Sequence, residues 1–330
     1  MERFRNILVA VDSEFEKQPA LASAIRLAEK NQAKLKGVDV VPDYSWAVRL
    51  AMSDHKRAHQ ALAEEKSRYI ESIAKPLRDR GIDVSTKVLF GKASREIIRE
   101  VLRSQHDLVV RVTKGANSRR TGFFGTTSMR LLRRCPSAVW LVQTDAQPRL
   151  ARVLAAVDPN PNDDTHAEMN RTIMELGMSI AENAEFHVVH AWNLFGLRHA
   201  TSRDNLGEFE ATKRKVEAEV AREFDRFLSD YGLNHQADHV HLRCDEIGPE
   251  HAILELAKQQ EIDLIVMGTV GRAGVAGALM GNTAERVLDQ LECSVLAIKP
   301  DGFVSPVALP EQSADVRFDR RPRPYLPPAG

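Results

Sequence analysis

The stretch Val266-Met-Gly-Thr-Val-Gly-Arg-Ala-Gly-Val-Ala-Gly-Ala-Leu-Met-Gly-Asn-Thr-Ala-Glu285 decides how the rest of the chain is read. It follows the apolar run Leu264-Ile265-Val266, the pattern of a strand buried on both faces of a parallel sheet. Gly268, Gly271 and Gly281 are spaced G-x2-G-x9-G, and a helical pattern opens at Ala284-Glu285-Arg286-Val287-Leu288. Strand, glycine loop, polar residues and helix make the layout of a phosphate cradle. Glycines let backbone N–H groups approach an anion, and the helix N-terminus adds partial positive charge. Asn282 or Thr283 is suited to cap that helix or to donate to a phosphate oxygen. The spacing alone equally fits a glycine-rich turn that holds no ligand.

Two common nucleotide motifs are excluded. No Gly-Lys-Ser/Thr follows, as a Walker A loop requires, and the dinucleotide spacing G-x-G-x-x-G is missing. The run Gly-Thr-Val-Gly-Arg…Leu-Met-Gly-Asn-Thr-Ala-Glu instead resembles the ATP-binding signature of the universal stress protein family, in its tandem-domain form. Where family members that bind ATP carry Ser or Thr after the third glycine, this chain has Asn282 followed by Thr283, so a donor is kept. The resemblance implies ATP, with Mg2+ on its phosphates, as the cofactor. It implies that Ala156, Val157 and Asp158 line the adenosine and that Ala191 meets the adenine through its backbone. Met267, Gly268, Gly271, Gly281, Asn282 and Thr283 would then hold ribose and phosphates.

The chain reads as a repeat. In the first half, apolar or alternating runs at 6–11, 35–41, 84–90, 108–112 and 138–142 alternate with helical patterns at 19–31, 46–80, 94–104 and around 129–133. Leu21, Ala24, Ile25 and Ala28 mark the expected buried face of the first helix, and Ile97, Ile98 and Val101 that of the third. The pattern restarts at Arg152–Val157 followed by Asp158, matching Arg5–Val11 followed by Asp12. Helices at 165–181 (with a Thr165-x-x-Glu168 capping box), 205–231 and 251–259 alternate with strands at 186–191, 240–243, 263–266 and 294–298. Gly271 and Gly281 match Gly115 and Gly125 with the same nine-residue gap. Alternating strands and helices imply α/β architecture with a parallel sheet covered on both faces, and the repeat implies two such units. The resemblance adds a Rossmann-like, adenine nucleotide alpha hydrolase-like fold, five strands per unit in the order 3-2-1-4-5. The expected divisions are 1–147, 148–300 and a Pro-rich tail at 301–330, which holds six of the fifteen prolines and reads as extended.

Composition sets further bounds. Charged residues are 28% and the net charge is zero, so nothing global calls for nucleic acid as partner. No apolar run reaches the length of a membrane span, and residues 1–5 enter a strand without a signal-peptide core. Cys135, Cys244 and Cys293 are sparse, odd in number and without C-x-x-C, which suggests reduced thiols and a cytoplasmic setting. Cys135 and Cys293 read as small core residues that start strands.

The first half departs from the signature. Val112 stands in place of Gly268 and Arg111 in place of Met267, while Gly115, Gly125 and Thr126 persist. Asp12, Val40, Gly115, Gly125 and Thr126 therefore mark a degenerate counterpart of the second site. The segment 111–134 also carries seven basic residues and no acid. It fits a site for another anion, a protein contact or a solvated basic face. His235, His239, His241 and Cys244 invite a zinc reading, but no neighbouring acid or thiol pair in sequence completes the set, so a half-exposed strand is expected and no metal site. No catalytic residue is assigned: a nucleophile elbow is missing, and the loop 268–283 offers no Asp, Glu or His as base. Glu285 is expected to reach back over the helix N-terminus.

The reading is a tandem stress-response signalling module that binds ATP without efficient catalysis. The alternatives are a slow ATPase or adenylating enzyme, and a scaffold holding a lipid-like ligand between the halves. The halves are expected to pair as a pseudo-dimer through 138–142 and 294–298, since pairing removes two exposed sheet edges. Protein partners are expected but not named by the sequence, and a further homodimer is compatible with it.

Overall fold

The computed structural model describes residues 4–15, 17–52, 54–115, 123–147, 149–160, 164–194, 206–269 and 280–310 of the 330-residue chain. The first half runs β1 (Asn6–Ala10), α1 (Pro19–Asn31), β2 (Lys34–Val41), α2 (Trp46–Ala51), α3 (His55–Asp79), β3 (Val84–Phe90), α4 (Ala93–Ser104), β4 (Leu108–Val112), α5 (Thr126–Arg134) and β5 (Ala138–Val142). The second half runs β6 (Arg152–Val157), α6 (Asp164–Ile180), β7 (Glu185–Trp192), α7 (Leu206–Ser229), β8 (Val240–Cys244), α8 (Pro249–Gln259), β9 (Leu264–Gly268), α9 (Asn282–Gln290) and β10 (Ser294–Ile298).

The described strands form one sheet in the order β3-β2-β1-β4-β5-β10-β9-β6-β7-β8. Each half is parallel in the order 3-2-1-4-5, and the halves join where β5 and β10 pair antiparallel, with Val295 opposite Leu141, Leu296 opposite Trp140 and Ala297 opposite Val139. Residues on the two joining strands are almost wholly buried, so hydrophobic burial accompanies the ladder bonds. Helices α1, α3, α6 and α7 pack on one face and α4, α5, α8 and α9 on the other. The central strands are buried on both faces and read as continuous apolar runs. The outer strand β3 alternates, as a half-exposed edge does, while β8 runs from buried Val240 to exposed Cys244.

The repeat extends to single hydrogen bonds. Asp107 accepts from the backbone N–H of Arg5 and Asn6 at the start of β1, and Asp263 accepts from Ala151 and Arg152 at the start of β6. Each aspartate follows a residue in the left-handed region two places earlier, Gln105 (φ 50°) and Glu261 (φ 45°), which reverses the chain out of the preceding helix.

Several expectations shift. The helical stretch 46–80 is two helices. Ser45 caps α2 by accepting from the Val48 N–H, and the chain turns extended at Met52 before Asp54 precedes α3. The Ser-Asp pair that follows Met52 competes locally for backbone groups and favours such a break. The buried face of α1 is centred on Ala20, Ala24, Leu27 and Ala28, with Leu21 and Ile25 only half-buried at its margin. Cys135 ends α5 rather than starting β5, while Cys293 directly precedes β10; both are buried free thiols. Helix α6 begins at Asp164, one residue ahead of the proposed capping box. Of the tail, 303–308 lies on the first half: Ser305 Oγ donates to the Arg134 carbonyl at 2.7 Å, and Arg99 Nε donates to that of Ala308 at 3.3 Å. Residues 311–330 lie outside the described residues, as does Pro148 of the linker.

Helix α4 is fastened to the sheet by a buried carboxylate. Glu100, 1% exposed, accepts from Lys36 Nζ at 2.8 Å and Lys87 Nζ at 2.7 Å. Burial alone would push its pKa up; the two ammonium groups outweigh burial and hold it at about 2, below its ordinary 4.5. A carboxylate depressed by folding stabilises above the unfolded pKa and loses that contribution as pH falls toward the folded value. Glu100→Gln should therefore lower the urea midpoint at pH 7 and flatten its decline between pH 4.5 and 2 relative to the parent, measured by urea titration at a series of pH values.

Candidate functional site

Ligands in open α/β sheets bind at the carboxyl ends of the strands, where neighbouring crossovers diverge. In the second half the ends of β6, β7 and β9 open onto a cleft of about 990 Å3. That is at the upper end of the range for small-molecule sites. Ala156, Val157 and Asp158 reach it from the end of β6, Ala191 from β7, Met267 and Gly268 from β9, and Gly281, Asn282 and Thr283 from the start of α9. The structure thus brings together nine of the ten residues singled out in this half; Gly271 lies outside the described residues.

The start of α9 shows what this cleft offers an anion. Gly281 is the N-cap, and among the described residues no side-chain cap bond is made there. Asn282 is the first helical residue, so it does not act as the expected cap. Glu285 does not reach back either. Its carboxylate pairs with Arg133 of α5, across the junction between halves. Among the described residues no side chain takes the first-turn donors of α9, so they and its dipole are available to a ligand.

Two glycines work differently from the expectation. Gly281 has φ −65° and ψ 145°, which any residue adopts, so its backbone does not demand glycine. At Gly268 a Cβ would lie 2.6 Å from Met169 Sδ and 2.7 Å from its Cε. The missing side chain there makes room for Met169 of α6, which itself lines the cleft.

Sequence reasoning missed the opposite wall, because its residues come from three helices remote in sequence. Asn170 of α6 is buried and holds the loop after β6 by two bonds, accepting from the Asp158 N–H at 3.0 Å and donating to the Asp158 carbonyl at 2.8 Å. This fixes Asp158 at the cleft mouth. His190 of β7 is buried against Phe224, its Nδ1 lying 3.2 Å from the Val157 carbonyl. Helix α7 adds Val216, Val220, Glu219 and Glu223, and α8 adds Ile253. Glu219 and Glu223 are acids the glycine loop lacks, but each is paired along its own helix, with Arg222 and Arg226. Among the described residues lining the cleft there is no Lys or Arg.

In the first half the equivalent strand ends are filled by the chain itself. Asp12 follows β1, Val40 lies near the end of β2, and Gly115, Gly125 and Thr126 follow β4 or open α5, as their counterparts do. The frame is the same: Gly125 N donates to Thr113 O at 2.9 Å, as Gly281 N does to Thr269 O at 3.1 Å. The filling differs. Arg111, at the place of Met267, folds inward; a Cβ on Gly115 would lie 2.9 Å from both Arg111 Nη2 and Asp12 Oδ2. Burial pushes the Arg111 pKa down, and Asp12 and Asp39 push it back up. Where β7 has His190, β2 has Asp39, which receives Lys66 Nζ of α3 at 3.0 Å; Lys66 also donates to Ser13 Oγ at 2.9 Å. The basic segment is therefore not a uniform solvated face: Arg111 is enclosed and Arg133 bridges the halves. Arg119 and Arg120 lie outside the described residues.

The Lys66–Asp39 pair is 9% and 5% exposed by side chain, so removing one partner strands a buried charge. Lys66→Met should destabilise the chain by about 3–5 kcal/mol, read from urea unfolding. Lys66→Met with Asp39→Leu should recover most of that loss.

A family model described as the universal stress protein family matches residues 3–143 and 150–299. The chain is 29% identical to Universal stress protein E of Escherichia coli (strain K12) over 320 residues, covering 96% of this chain and 100% of that protein. It is 31% identical over 307 residues to the Universal stress protein E homolog of Haemophilus influenzae, covering 90% and 98%. Among solved structures it is similar to a functionally unknown protein from Pseudomonas aeruginosa PAO1, with TM-score 0.70, 26% identity and coverage of 91% and 94%. A universal stress protein from Archaeoglobus fulgidus shares the fold, with TM-score 0.57 and 15% identity over 89% and 98% of the chains. No described helix is long and apolar enough to cross a membrane. Two matched regions that together span most of the sequence, on two copies of one fold, establish that the chain belongs to the universal stress protein family as a tandem member.

Proposed function

We propose that the chain is a nucleotide-dependent stress-response module that holds ATP, with Mg2+ on its phosphates, in the second half and does not turn it over efficiently. The observation that carries this reading is the contrast between two equivalent strand ends. One is an open cleft facing an uncapped helix N-terminus, and the other is filled by Arg111, Asp39 and Lys66. The open cleft suits a nucleoside triphosphate in size and in the order of its surfaces. Val157, Ala191 and the apolar wall of Val216, Val220 and Ile253 suit a base. Asp158, fixed by Asn170, suits a ribose hydroxyl, and the first turn of α9 with Asn282 and Thr283 suits phosphate oxygens.

Efficient hydrolysis needs a positioned water, a proton acceptor and donors for the charge that develops on the phosphoryl group. The two glutamates on α7 are committed to arginines, and no P-loop lysine exists. Among the described residues, one crevice between the halves speaks against the lipid-scaffold alternative there. The crevice between α1 and α6, next to Phe4 and Leu176, holds about 10 Å3, enough for one water.

Gly281→Val should abolish retention of ATP with the fold kept, since the added branches crowd the mouth of α9. Gly125→Val, the matched change in the first half, should leave retention unchanged. Nucleotide released from purified chain and quantified by chromatography reads both; equal loss from the two variants, or from neither, would count against the assignment. In single-turnover assays with labelled ATP and excess chain, the rate should lie far below about 1 s⁻¹, the lower end of the ordinary enzyme range. A rate at or above that value would replace the binding module with an ATPase.

A further inference from the structure

At the amino ends of β7 and β8, far from the cleft, four titratable side chains converge. Glu185 and His187 alternate on β7, so both project toward the same face. His239 directly precedes β8, and His241 lies within it. Glu185 Oε1 lies 3.2 Å from His187 Nε2 and 3.2 Å from His239 Nδ1, and the ligand atoms of these three residues all fall within 4.8 Å of one another. The sequence alone shows no close acid or thiol pair that completes a tetrahedral set with His235, His239, His241 and Cys244. The missing acid and a further imidazole come from β7, more than fifty residues earlier and one strand away.

Two of the three, His187 and Glu185, are held by neighbouring groups. His187 is 1% exposed, and its Nδ1 lies 3.1 Å from His241 Nε2. Its Nε2 is buried and lies 3.2 Å from Glu185 Oε1. When Nδ1–H donates to His241, Nε2 presents a lone pair to Glu185 Oε1. Two acceptors then face each other, an arrangement that a cation between them resolves. Arg152 Nε takes the other carboxylate oxygen of Glu185 at 3.2 Å and orients it, and Arg152 is steadied in turn by Glu261 at 3.0 Å. Outer groups that fix the tautomer of a histidine and the rotation of a carboxylate are what metal sites carry behind their ligands.

We propose that Glu185, His187 and His239 form a site for a divalent transition-metal ion, Zn2+ by preference, with His241 and Arg152 as positioning residues. Bond lengths of about 2.0–2.2 Å place tetrahedral Zn2+ ligands roughly 3.3 Å apart, close to the two 3.2 Å separations observed. Two imidazoles and one carboxylate favour Zn2+ over Mg2+ or Ca2+, which prefer all-oxygen shells. The nearby guanidinium of Arg152 works against any dication, so the nitrogen donors must supply the affinity. His239 is 52% exposed, which leaves the fourth position open to water. The ion would clip the start of the edge strand β8 to β7. His187 lies four residues, about 13 Å, before Ala191, so this site is separate from the nucleotide cleft and does not rest on the ATP reading.

Full-length chain stripped with chelator and titrated with Zn2+ by calorimetry tests this. One equivalent should bind and raise the thermal midpoint. Glu185→Gln and His239→Ala should each weaken binding at least tenfold and abolish the thermal shift, and His241→Phe should weaken it about tenfold with stoichiometry kept. Co2+ at the site should give the intense visible bands of a tetrahedral ion in the parent but not in His239→Ala. Cys244→Ser and His251→Ala, which alter the exposed thiol and the Asp245–His251 pair nearby, should bind as the parent does. No saturable binding, binding by Glu185→Gln and His239→Ala as tight as the parent's, or loss confined to Cys244→Ser would overturn the site.

Discussion

Everything in this molecule hangs on the antiparallel pairing of β5 with β10. Each half ends in a strand whose outer edge would otherwise present unpaired N–H and C=O groups, the template for aggregation. Pairing the two edges satisfies those groups and buries Trp140, Leu141, Val295 and Leu296 in one stroke. It also sets the orientation of the two sites. Because the joining strands run in opposite directions, the carboxyl ends of the two halves point to opposite edges of the sheet. The two clefts therefore cannot merge, and each has to be understood from its own walls. What crosses the junction is structural: Arg133 with Glu285, and Lys299, whose ammonium reaches both the Leu132 carbonyl and Thr269 Oγ1 at the far end of the joined strands.

With the frame duplicated, the halves diverged in what fills the strand ends. The backbone is kept to the level of the Thr113–Gly125 and Thr269–Gly281 bonds, while the side chains are not. In the first half a buried ion pair and an inward arginine occupy the space. A buried pair of this kind contributes little net stability, since desolvating both charges offsets their attraction. Its effect is occupancy: a cleft lined by Asp39, Lys66 and Arg111 has no room left for a base. In the second half Met267 stands in place of Arg111 and His190 in place of Asp39, and the cleft stays open.

Much of the frame was legible because it depends on short-range physics. Strands buried on both faces are continuous apolar runs, so β4, β5, β6 and β10 could be bounded from 108–112, 138–142, 152–157 and 294–298 alone. The strand order came from the family resemblance and the repeat, not from periodicity. What could not be read depends on contacts between segments distant in sequence. The role of Gly268 is set by Met169, a hundred residues away, and Glu285 is taken by Arg133 rather than by its own helix end. The back wall of the cleft comes from α6, α7 and α8, each of which reads only as an amphipathic helix. The break at Met52 is local, but its signal, a Ser-Asp pair inside a helical pattern, is weak against the propensity of the flanking residues.

The cluster at the start of β7 shows the same logic at another level of the repeat. By the strand registers, Lys36 on β2 occupies the position of His187 on β7. Both are polar residues on interior strands, and each must find partners or pay the full cost of desolvation. Lys36 is satisfied by a carboxylate from the helix above it, Glu100 of α4. His187 finds its partners within the sheet layer, in His241 of the neighbouring strand and Glu185 of its own. The first solution is closed, since both oxygens of the one carboxylate are taken by ammonium groups. The second leaves three potential ligand groups, Glu185, His187 and His239, converging on one point. A duplicated fold can hold the same strand position fixed and still turn a structural anchor into a coordination site, because the backbone specifies only where the side chain starts. The chemistry follows from which helix or strand supplies the neighbour.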